Sequence, residues 1–256
     1  MNGAFHVAAV GLDAQQRALD TIANNISNIN TATFKRSDVR FSEVMATRAD
    51  PAVAHADGGQ GLVSAAGVRS DAVSMVNEAG RIETTGRPYD LAIDGAGMIE
   101  VMGPGGQTLL WRGGTLKVGE DGLLSTSAGF ALKAAINVPT DASGIEIGAD
   151  GVVKAKAGDG EPVEIGQIML VEVDDPAVLS RLDGGLYAVA EGTQLTDAQP
   201  GEDGAGLLVQ GGVERSNVEL TTEMVQLMLV QRAYAANAQI VQAADQLMGI
   251  ANGLRR

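Results

Sequence analysis

The chain has 256 residues with 18 basic and 32 acidic side chains, which gives a formal net charge of −14 at pH 7. It contains no cysteine, so disulfides, thiolate zinc sites and cysteine nucleophiles are excluded, and its two histidines lie far apart in sequence. The acidic balance argues against a nucleic-acid partner, because neutralising phosphates needs clustered Lys and Arg. No apolar run approaches the ~18 residues of a membrane-spanning helix. The N-terminus also lacks the basic region of a cleavable secretory signal, so we expect neither membrane insertion nor signal cleavage.

The N-terminal segment carries apolar residues at alternating steps of three and four, which is the a/d spacing of a heptad. This spacing predicts a helix that ends near residues 28–30, where a run rich in asparagine has poor helix propensity. The positions of its apolar seam are Phe5, Ala8, Leu12, Gln15, Leu19, Ile22, Ile26 and Ile29.

The C-terminal segment predicts a second and longer helix. Ser216 and Glu219 have the spacing of a capping box, in which each side chain bonds the backbone amide of the other residue. From there a seam recurs every seven residues, and neither Gly nor Pro interrupts it before residue 249. The seam consists of Leu220, Leu227, Tyr234, Val241 and Met248.

The middle of the chain differs from both ends. Residues 46–70 show no period and contain Pro51 and several glycines, which indicates an extended connector. From about residue 70 to 212, short β-prone runs alternate with Asp-Gly turns, which is typical of an antiparallel β domain. Two hairpins are predicted, pairing 115–118 with 123–126 and 145–147 with 152–155, and residues 163–173 are the candidate central strand.

The acidic charge is concentrated in this middle region. Residues 141–203 contain fourteen acids against three bases, a local charge of −11, whereas both ends are close to neutral. We expect the charge to lie on the outer surface of the β domain.

None of the candidate motifs for catalysis or ligand binding in this sequence meets the structural requirements of its class. The Asp-Gly pairs lack the fixed period of calcium-binding repeats, and the glycine-rich stretches 95–97 and 103–106 lack the rest of a phosphate-binding fingerprint. Adjacent carboxylates on a turn do not converge on a substrate. We therefore predict no catalytic, cofactor or metal site and no enzyme activity.

The two helical seams leave two interpretations open. They can form a helical hairpin packed on the chain's own β domain, or they can remain partly uncovered and bind other copies of the chain. Two long helices with wide apolar seams bury only part of that surface on each other, which favours assembly.

The sequence resembles the bacterial flagellar rod and hook proteins at both ends. The resemblance covers 11–36 and the two stretches 211–220 and 230–237, and more loosely the stretch 85–97 that begins Thr85-Gly86-Arg87-Pro88-Tyr89-Asp90. It departs from the family at Thr33, where glycine is usual, and at Met98-Ile99, where an aromatic pair is usual. The signature residues are Asn24, Asn25, Asn28, Phe34, Ser216, Asn217, Gln231, Arg232 and Tyr234.

The resemblance implies an α+β fold with three parts. Residues 1–30 and 213–256 are expected to pair as a coiled coil that lines an inner tube. Residues 31–70 are expected to form the extended connector, with a rod-type insertion at 42–66, and residues 71–212 the β-rich outer domain. Within the family the distal rod proteins resemble the sequence best, and a proximal rod protein is the alternative.

The resemblance also implies a function in assembly. The subunit is expected to form a hollow helical homopolymer, a drive shaft in the basal body that spans the periplasm towards the outer membrane and transmits torque to the hook. Its expected partners are proximal rod subunits, hook or hook-junction proteins, the ring bushings and the flagellar export gate. Phe41 and Met45 resemble the gate-recognition pattern of early export substrates. A different class, a secreted β-domain binding module with oligomerising terminal helices, stays open as an alternative.

Overall fold

The computed structural model describes residues 2–47, 63–74, 78–158, 160–173, 175, 178–190, 192–201 and 204–253. Within these residues the chain forms two long helices and seventeen strands, which confirms the α+β class. Helix α1 spans Asn2–Ser27 and helix α2 spans Leu220–Gly253. Neither described helix combines the length and the apolar character needed to cross a membrane.

The chain divides into two compact units. The first, called the helical unit, comprises Met1–Ser27, Ser37–Val73 and Glu219–Arg256. The second, called the β unit, comprises Asn28–Arg36 and Ser74–Val218. The chain therefore leaves the helical unit after Ser27, belongs to the β unit over Asn28–Arg36, and returns to the helical unit at Ser37.

The helical unit contains α1, α2 and a two-stranded sheet of β1 (Ser37–Thr47) and β2 (Val63–Ser74). Strand β1 lies within the predicted connector 31–70, and β2 begins in it and extends four residues beyond its end. Helix α1 ends at Ser27, just before the predicted range, because the residues that follow form turns instead.

The β unit is built from short antiparallel strands in five small sheets, as expected where Asp-Gly turns join neighbouring strands. The sheet orders are β16-β4-β7-β8, β13-β14-β6-β5, β11-β10-β9, β12-β15 and β17-β3. The strands are β3 (Ile82–Thr84), β4 (Asp90–Asp94), β5 (Ile99–Met102), β6 (Thr108–Trp111), β7 (Gly113–Val118), β8 (Leu124–Thr126), β9 (Ala142–Ile147), β10 (Val152–Ala157), β11 (Val163–Gln167), β12 (Leu170–Val173), β13 (Leu179–Arg181), β14 (Leu186–Val189), β15 (Leu195–Ala198), β16 (Leu207–Gln210) and β17 (Gly212–Glu214).

Both predicted hairpins are confirmed. Strand β7 pairs with β8, with Leu116 opposite Thr126, and β9 pairs with β10, with Val153 opposite Ile147.

The prediction of one central strand over 163–173 is wrong. The run splits into β11, at the edge of its sheet, and β12, which pairs with β15. The amide of Ile168 donates to the carbonyl of Gly151 (2.8 Å), and Leu170 lies opposite Ala198. An apolar run contains no information about a change of partner, so its length alone suggested a single strand.

The core of the β unit lies on both faces of β6. Leu109 and Trp111 are buried in the larger apolar cluster, and Leu110 between them is buried in a smaller one with Met98 and Tyr187. Side chains alternate across a strand, so a strand buried on both faces is apolar at every position. Ile99 begins β5 and Met98 directly precedes it, and both side chains are buried. The start of β5 therefore packs in the core without the family's usual aromatic pair.

The predicted capping box is also wrong. The hydroxyl of Ser216 accepts from the amide of Val218 (3.3 Å), and the carboxylate of Glu219 accepts from the hydroxyl of Thr222 (3.1 Å). Helix α2 starts four residues after Ser216, at Leu220. Ser216 therefore belongs to the segment before the helix, where the β unit fixes the chain.

Candidate assembly site

The two terminal helices contact each other in an antiparallel arrangement. A Cβ at Gly11 would lie 3.3 Å from the side-chain nitrogen of Asn237, and near the other end Asn25 hydrogen-bonds Glu223 (3.3 Å). Residues early in α1 thus meet residues far along α2, and the end of α1 meets the first turn of α2. Ala14 and Ala18, buried on α1, are small residues that let helices approach closely.

The buried face of α1 shares Ile22 with the predicted apolar seam but otherwise differs from it. Ala14, Ala18 and Ile22 are buried, whereas the seam residues Leu12, Leu19 and Ile26 are half-buried. Leu19 follows Ala18 by one residue and so lies about 100° around the helix. These half-buried seam residues therefore border the contact and keep apolar surface in solvent. The side chain of Phe5 lies outside the described residues.

Helix α2 leaves more apolar surface uncovered. Of its predicted seam, Leu227 and Val241 are half-buried, Leu220 and Tyr234 are exposed, and the side chain of Met248 lies outside the described residues. Other large apolar side chains of the helix are exposed as well. They are Met224, Val225, Met228, Leu229, Ile240 and Ile250.

A groove runs along the helix pair between Gly11 and Ala14 of one helix and Ala233 and Asn237 of the other. The side-chain oxygen of Gln15, which also lines the groove, is buried and accepts no hydrogen bond from the described residues. In the described residues, the helix pair thus leaves apolar side chains exposed to solvent and one buried polar atom without a hydrogen bond.

Asn25, a signature residue, joins three elements of the helical unit. Its side-chain nitrogen donates to the carbonyl of Ser37 (2.8 Å), and its oxygen accepts from the amide of Ser37 (3.0 Å). The same nitrogen donates to the buried carboxylate of Glu223. Asn25 therefore fixes the start of β1 to both helices.

The signature residue Asn28 closes the turn after α1. Its backbone oxygen accepts from the amide of Thr31, and its side-chain oxygen accepts from the hydroxyl of Thr31.

The signature stretch after α1 is inserted into the β unit. Phe34 is buried, and the guanidinium of Arg181 stacks 3.7 Å from the centre of its ring. Thr33 adopts a left-handed backbone conformation (φ 58°), which the family usually supplies with glycine. Its amide donates to the carbonyl of Glu214 (2.8 Å), and its side chain lies against Gly185, where an added Cβ would be 2.5 Å from the threonine hydroxyl.

A buried ion cluster joins the two signatures. Lys35 donates to one carboxylate oxygen of Glu214 (2.7 Å), and Arg112 donates to the other (3.2 Å). The side chains of Lys35 and Arg112 are fully buried, and that of Glu214 is 1% exposed. Arg112 also donates to the carbonyls of Gly95 and Gly97. Burial lowers the pKa of Lys35, and nearby Arg112 lowers it further, while Glu214 opposes both.

The signature residue Asn217 adds neutral hydrogen bonds beside this cluster. Its oxygen accepts from the amide of Arg36 (2.6 Å), and its nitrogen donates to the carbonyl of Glu78 (3.2 Å). Lys35 donates to the same carbonyl of Glu78 (2.7 Å).

The central motif 85–90 is organised around a second buried charge, the carboxylate of Asp90. Asp90 is buried, and its carboxylate accepts from Thr85 (2.5 Å), Arg87 (2.7 Å) and Thr115 (2.7 Å). Burial alone raises the pKa of Asp90, but these three hydrogen bonds outweigh it and hold the pKa below its ordinary value.

The remaining predicted residues carry no geometry for chemistry. Gln231 and Arg232 are exposed on α2, and Asn24 is exposed on α1. Phe41 and Met45 lie in β1, and their side chains are outside the described residues. Within the described part of the chain no three His, Cys, Asp or Glu side chains form a group that could hold a metal ion.

Sequence reasoning did not single out the roles of Lys35, Arg112 and Glu214. Lys35 and Glu214 fall within the signature stretches, but they are far apart in the chain and nothing in the sequence pairs them. Arg112 lies outside both stretches. The available signal was a charged residue directly after a large apolar one, at Phe34-Lys35, Trp111-Arg112 and Val213-Glu214. Charges are rarely buried unless they are paired, so such charges are candidates for a buried pair.

The arrangement of the site, with uncovered helices and signatures tied together by buried polar bonds, defines a structural assembly protein, and comparison with known proteins agrees. Three family models match the chain: Flagella basal body rod protein at residues 5–35, Flagellar hook protein FlgE/F/G D1 domain at 92–155, and Flagellar basal body rod FlgEFG protein C-terminal at 209–254.

Curated relatives match over nearly the whole length. The flagellar basal-body rod protein FlgG of Borreliella burgdorferi is 35% identical, with 100% of each protein covered. FlgG of Caulobacter vibrioides is 33% identical over 98% of this chain and 99% of that protein, and FlgF of the same species is 32% identical over 93% of each. The chain belongs to the flagellar basal-body rod protein family, a family of structural proteins and not of enzymes. This confirms the resemblance read from the two signatures and decides against a secreted binding module.

Proposed function

We propose that the chain is a subunit of the distal part of the flagellar rod and that it polymerises into a hollow helical drive shaft. The relatives named FlgG, similar over their whole length, support this choice over a proximal rod protein. Contacts between different patches of identical subunits generate open helical polymers, which is the geometry a shaft needs.

In this proposal residues 1–30 and 213–256 pair as a coiled coil around the export channel. The near-neutral charge of both ends supports close packing of many copies, since few like charges are brought together. Residues 31–70, with the insertion at 42–66, contact neighbouring subunits. Residues 71–212 face outward, where their acidic charge keeps the subunit soluble and gives the shaft an acidic surface.

The proposed partners follow from a position between the base of the rod and the hook. They are further copies of this chain, proximal rod subunits, hook or hook-junction proteins and the ring bushings, with the shaft spanning the periplasm towards the outer membrane. Export through the flagellar gate proceeds without signal cleavage, with Phe41 and Met45 in β1 as the proposed recognition residues.

The uncovered surface of α2 is the observation that carries the proposal. Leu229 is 58% exposed, and seven further large apolar side chains described on the same helix are exposed with it. Contiguous exposed apolar surface on a soluble chain marks a site of protein contact. A helix that is apolar on more than one side needs neighbours on more than one side, and α1 covers one of them.

The test introduces a charge at an exposed position of α2. Leu229→Asp is expected to leave the purified chain folded, because the side chain is mostly in solvent, but to abolish rod assembly in cells, because a carboxylate cannot enter an apolar contact. Leu207→Asp is the matched control, since Leu207 is 45% exposed on β16 of the β unit. Circular dichroism checks the fold, and electron microscopy of basal bodies checks assembly. Normal rods in the Leu229→Asp strain would falsify the proposed role of this helix.

A further inference from the structure

The β unit is linked to the rest of the chain through a small set of segments that lie side by side. The chain enters the unit at Asn28, leaves it after Arg36, re-enters it at Ser74 and leaves it again after Val218. Three described segments near the last three of these points, 33–36, 78–81 and 214–217, are together called the collar. All three belong to the β unit.

Each collar segment is hydrogen-bonded to both of the others. Between 33–36 and 214–217 run the bonds from Lys35 to Glu214 (2.7 Å) and from the amide of Arg36 to Asn217 (2.6 Å). Lys35 joins the segment 78–81 through the carbonyl of Glu78 (2.7 Å).

The third side of the collar joins 78–81 with 214–217. The amide of Gly80 donates to the carboxylate of Glu214 (2.7 Å), and the amide of Arg215 donates to the carbonyl of Arg81 (2.8 Å). Glu214 thus accepts hydrogen bonds from both of the other segments.

Arg112 fastens the collar to the sheets of the β unit. It follows β6, donates to Glu214 (3.2 Å), and also donates to the carbonyls of Gly95 and Gly97 after β4. Because Lys35, Arg112 and Glu214 are buried, opening the collar exposes or unpairs charges that the protein interior tolerates only as partners.

This arrangement has a mechanical consequence. A single peptide segment can rotate about its backbone single bonds, so a domain held by one segment transmits little torsion. When three segments are fastened to one another and to a sheet, none can twist without moving the others and breaking buried hydrogen bonds. The covalent links of the β unit then resist twist together.

We propose that the collar is a torsion clamp, whose positioning residues Lys35, Glu214, Arg112 and Asn217 make the links of the β unit carry load as one body. This inference rests on the proposed function, because only a rotating shaft places torsion on these links. Lys35, Glu214 and Arg112 are buried inside the β unit, so the proposed role concerns load-bearing and does not involve direct contact with a neighbouring subunit through these three side chains.

The first test measures amide hydrogen exchange in the purified full-length chain. Lys35→Met removes the bonds to Glu214 and Glu78, and it is expected to raise exchange at Arg36, Gly80 and Arg215 at least about 10-fold while amides of β5 and β6 stay unchanged. Lys133→Met is the matched control, because Lys133 pairs with Glu100 (2.8 Å) at the surface of the same unit. Unchanged exchange at the collar amides would show that the segments are not fastened as one body and overturn the proposal.

The second test measures motility under load in strains carrying the same variants. Lys35→Met cells are expected to build rods and swim in dilute medium, but to lose at least about half their speed relative to Lys133→Met cells in viscous medium. Equal speeds in viscous medium would overturn the clamp. Complete rods in a strain lacking this chain would instead overturn the proposed function and leave the exchange result in place.

Asn217→Ala keeps the test decisive if Lys35→Met fails to fold. This variant removes two neutral bonds of the collar and leaves its three buried charges paired. The same exchange at Arg36 and the same loss of speed under load are expected, to a smaller degree, and absence of both effects overturns the proposal.

Discussion

The β unit and the helical unit bury their apolar residues to very different degrees. In the β unit, Leu91, Val101 and Leu110 are completely buried, and even the charges of Lys35 and Arg112 are enclosed with their partners. Among the described side chains of the helical unit, one narrow face of α1 is buried, and α2 leaves large apolar side chains in solvent. The β unit buries its apolar residues within itself, whereas α2 has apolar surface that the described residues leave uncovered.

The difference also lies in the kind of contact. The β unit uses large side chains and buried ion pairs, which fix one arrangement because an unpaired buried charge is costly. The helices meet through Gly11, Ala14 and Ala18, which permit close approach but bury little area per residue. Mutations should therefore affect the folding of the first region and the assembly of the second.

The largest effect on stability is expected where a buried charge loses its partner. Glu214→Ala leaves Lys35 and Arg112 buried without their carboxylate and should lower the free energy of unfolding by about 3–5 kcal/mol. Urea denaturation followed by Trp111 fluorescence measures this change. Glu83→Gln, which removes an exposed partner of Arg215, is the control and should cost far less. Similar losses in both variants would mean that burial does not distinguish the two pairs.

A direct comparison of the two units uses the same substitution in each. Leu91→Ala opens a cavity in the core of the β unit and should cost about 2–5 kcal/mol. Leu229→Ala shortens an exposed side chain of α2 and should change the stability of the monomer by less than about 0.5 kcal/mol. Denaturation of both purified variants measures the contrast. A large loss in Leu229→Ala would show that α2 is already covered within the monomer.

The fit of the inserted signature can be tested at two neighbouring glycines with nearly equal backbone angles. Gly184 (φ 75°) has no atom within 4 Å of an added Cβ, whereas at Gly185 (φ 74°) that Cβ would lie 2.5 Å from the hydroxyl of Thr33. Gly184→Ala should cost about 1–2 kcal/mol for its left-handed backbone alone. Gly185→Ala should cost about 1–3 kcal/mol more, because a tightly packed site has no room for the methyl group.

Combining Gly185→Ala with Thr33→Gly sharpens this test. Removing the threonine side chain frees the space that the new methyl group needs, so the double variant should regain part of the loss, an interaction of about 0.5–3 kcal/mol. Strictly additive losses in the denaturation midpoints would contradict a contact between Thr33 and Gly185.

The smallest effect is expected in the response of the β unit to acid. The pKa of Asp90 is lower in the folded chain than in the unfolded chain, where it is about 3.9. Its contribution to stability is therefore present above that value and is lost as the pH falls through the lower folded pKa. Thr115→Val removes one of its hydrogen bonds and so brings the folded pKa closer to the unfolded value, which makes the acid-dependent loss of stability smaller and complete at a higher pH than in the wild type. Free energies of unfolding between about pH 2 and 6 test this, and coincident curves would contradict the role of Thr115.

The local parts of the fold could be predicted because neighbouring residues specify them. The heptad spacing predicted both helices, and the turns at 119–122 and 148–151 predicted two hairpins that the structure contains. The run 163–173 was misread, since periodicity does not show that the first half pairs with β10 and the second with β15. The capping box at Ser216 is not formed either, because the hydroxyl of Ser216 accepts from the amide of Val218 and the helix begins only at Leu220, which the spacing of Ser216 and Glu219 does not reveal.

Some features of the candidate site were likewise determined by the sequence, and others were decided only by the tertiary structure. The sequence alone determined the family, the apolar terminal helices and the scarcity of groups for chemistry, because these depend on composition and on residues near each other in the chain. Only the tertiary structure decided which face of α1 is buried, that Thr33 occupies a left-handed turn against Gly185, and that Glu214 accepts from both Lys35 and Arg112. Those contacts join residues far apart in sequence, and their strength comes from burial that exists only once the chain is folded.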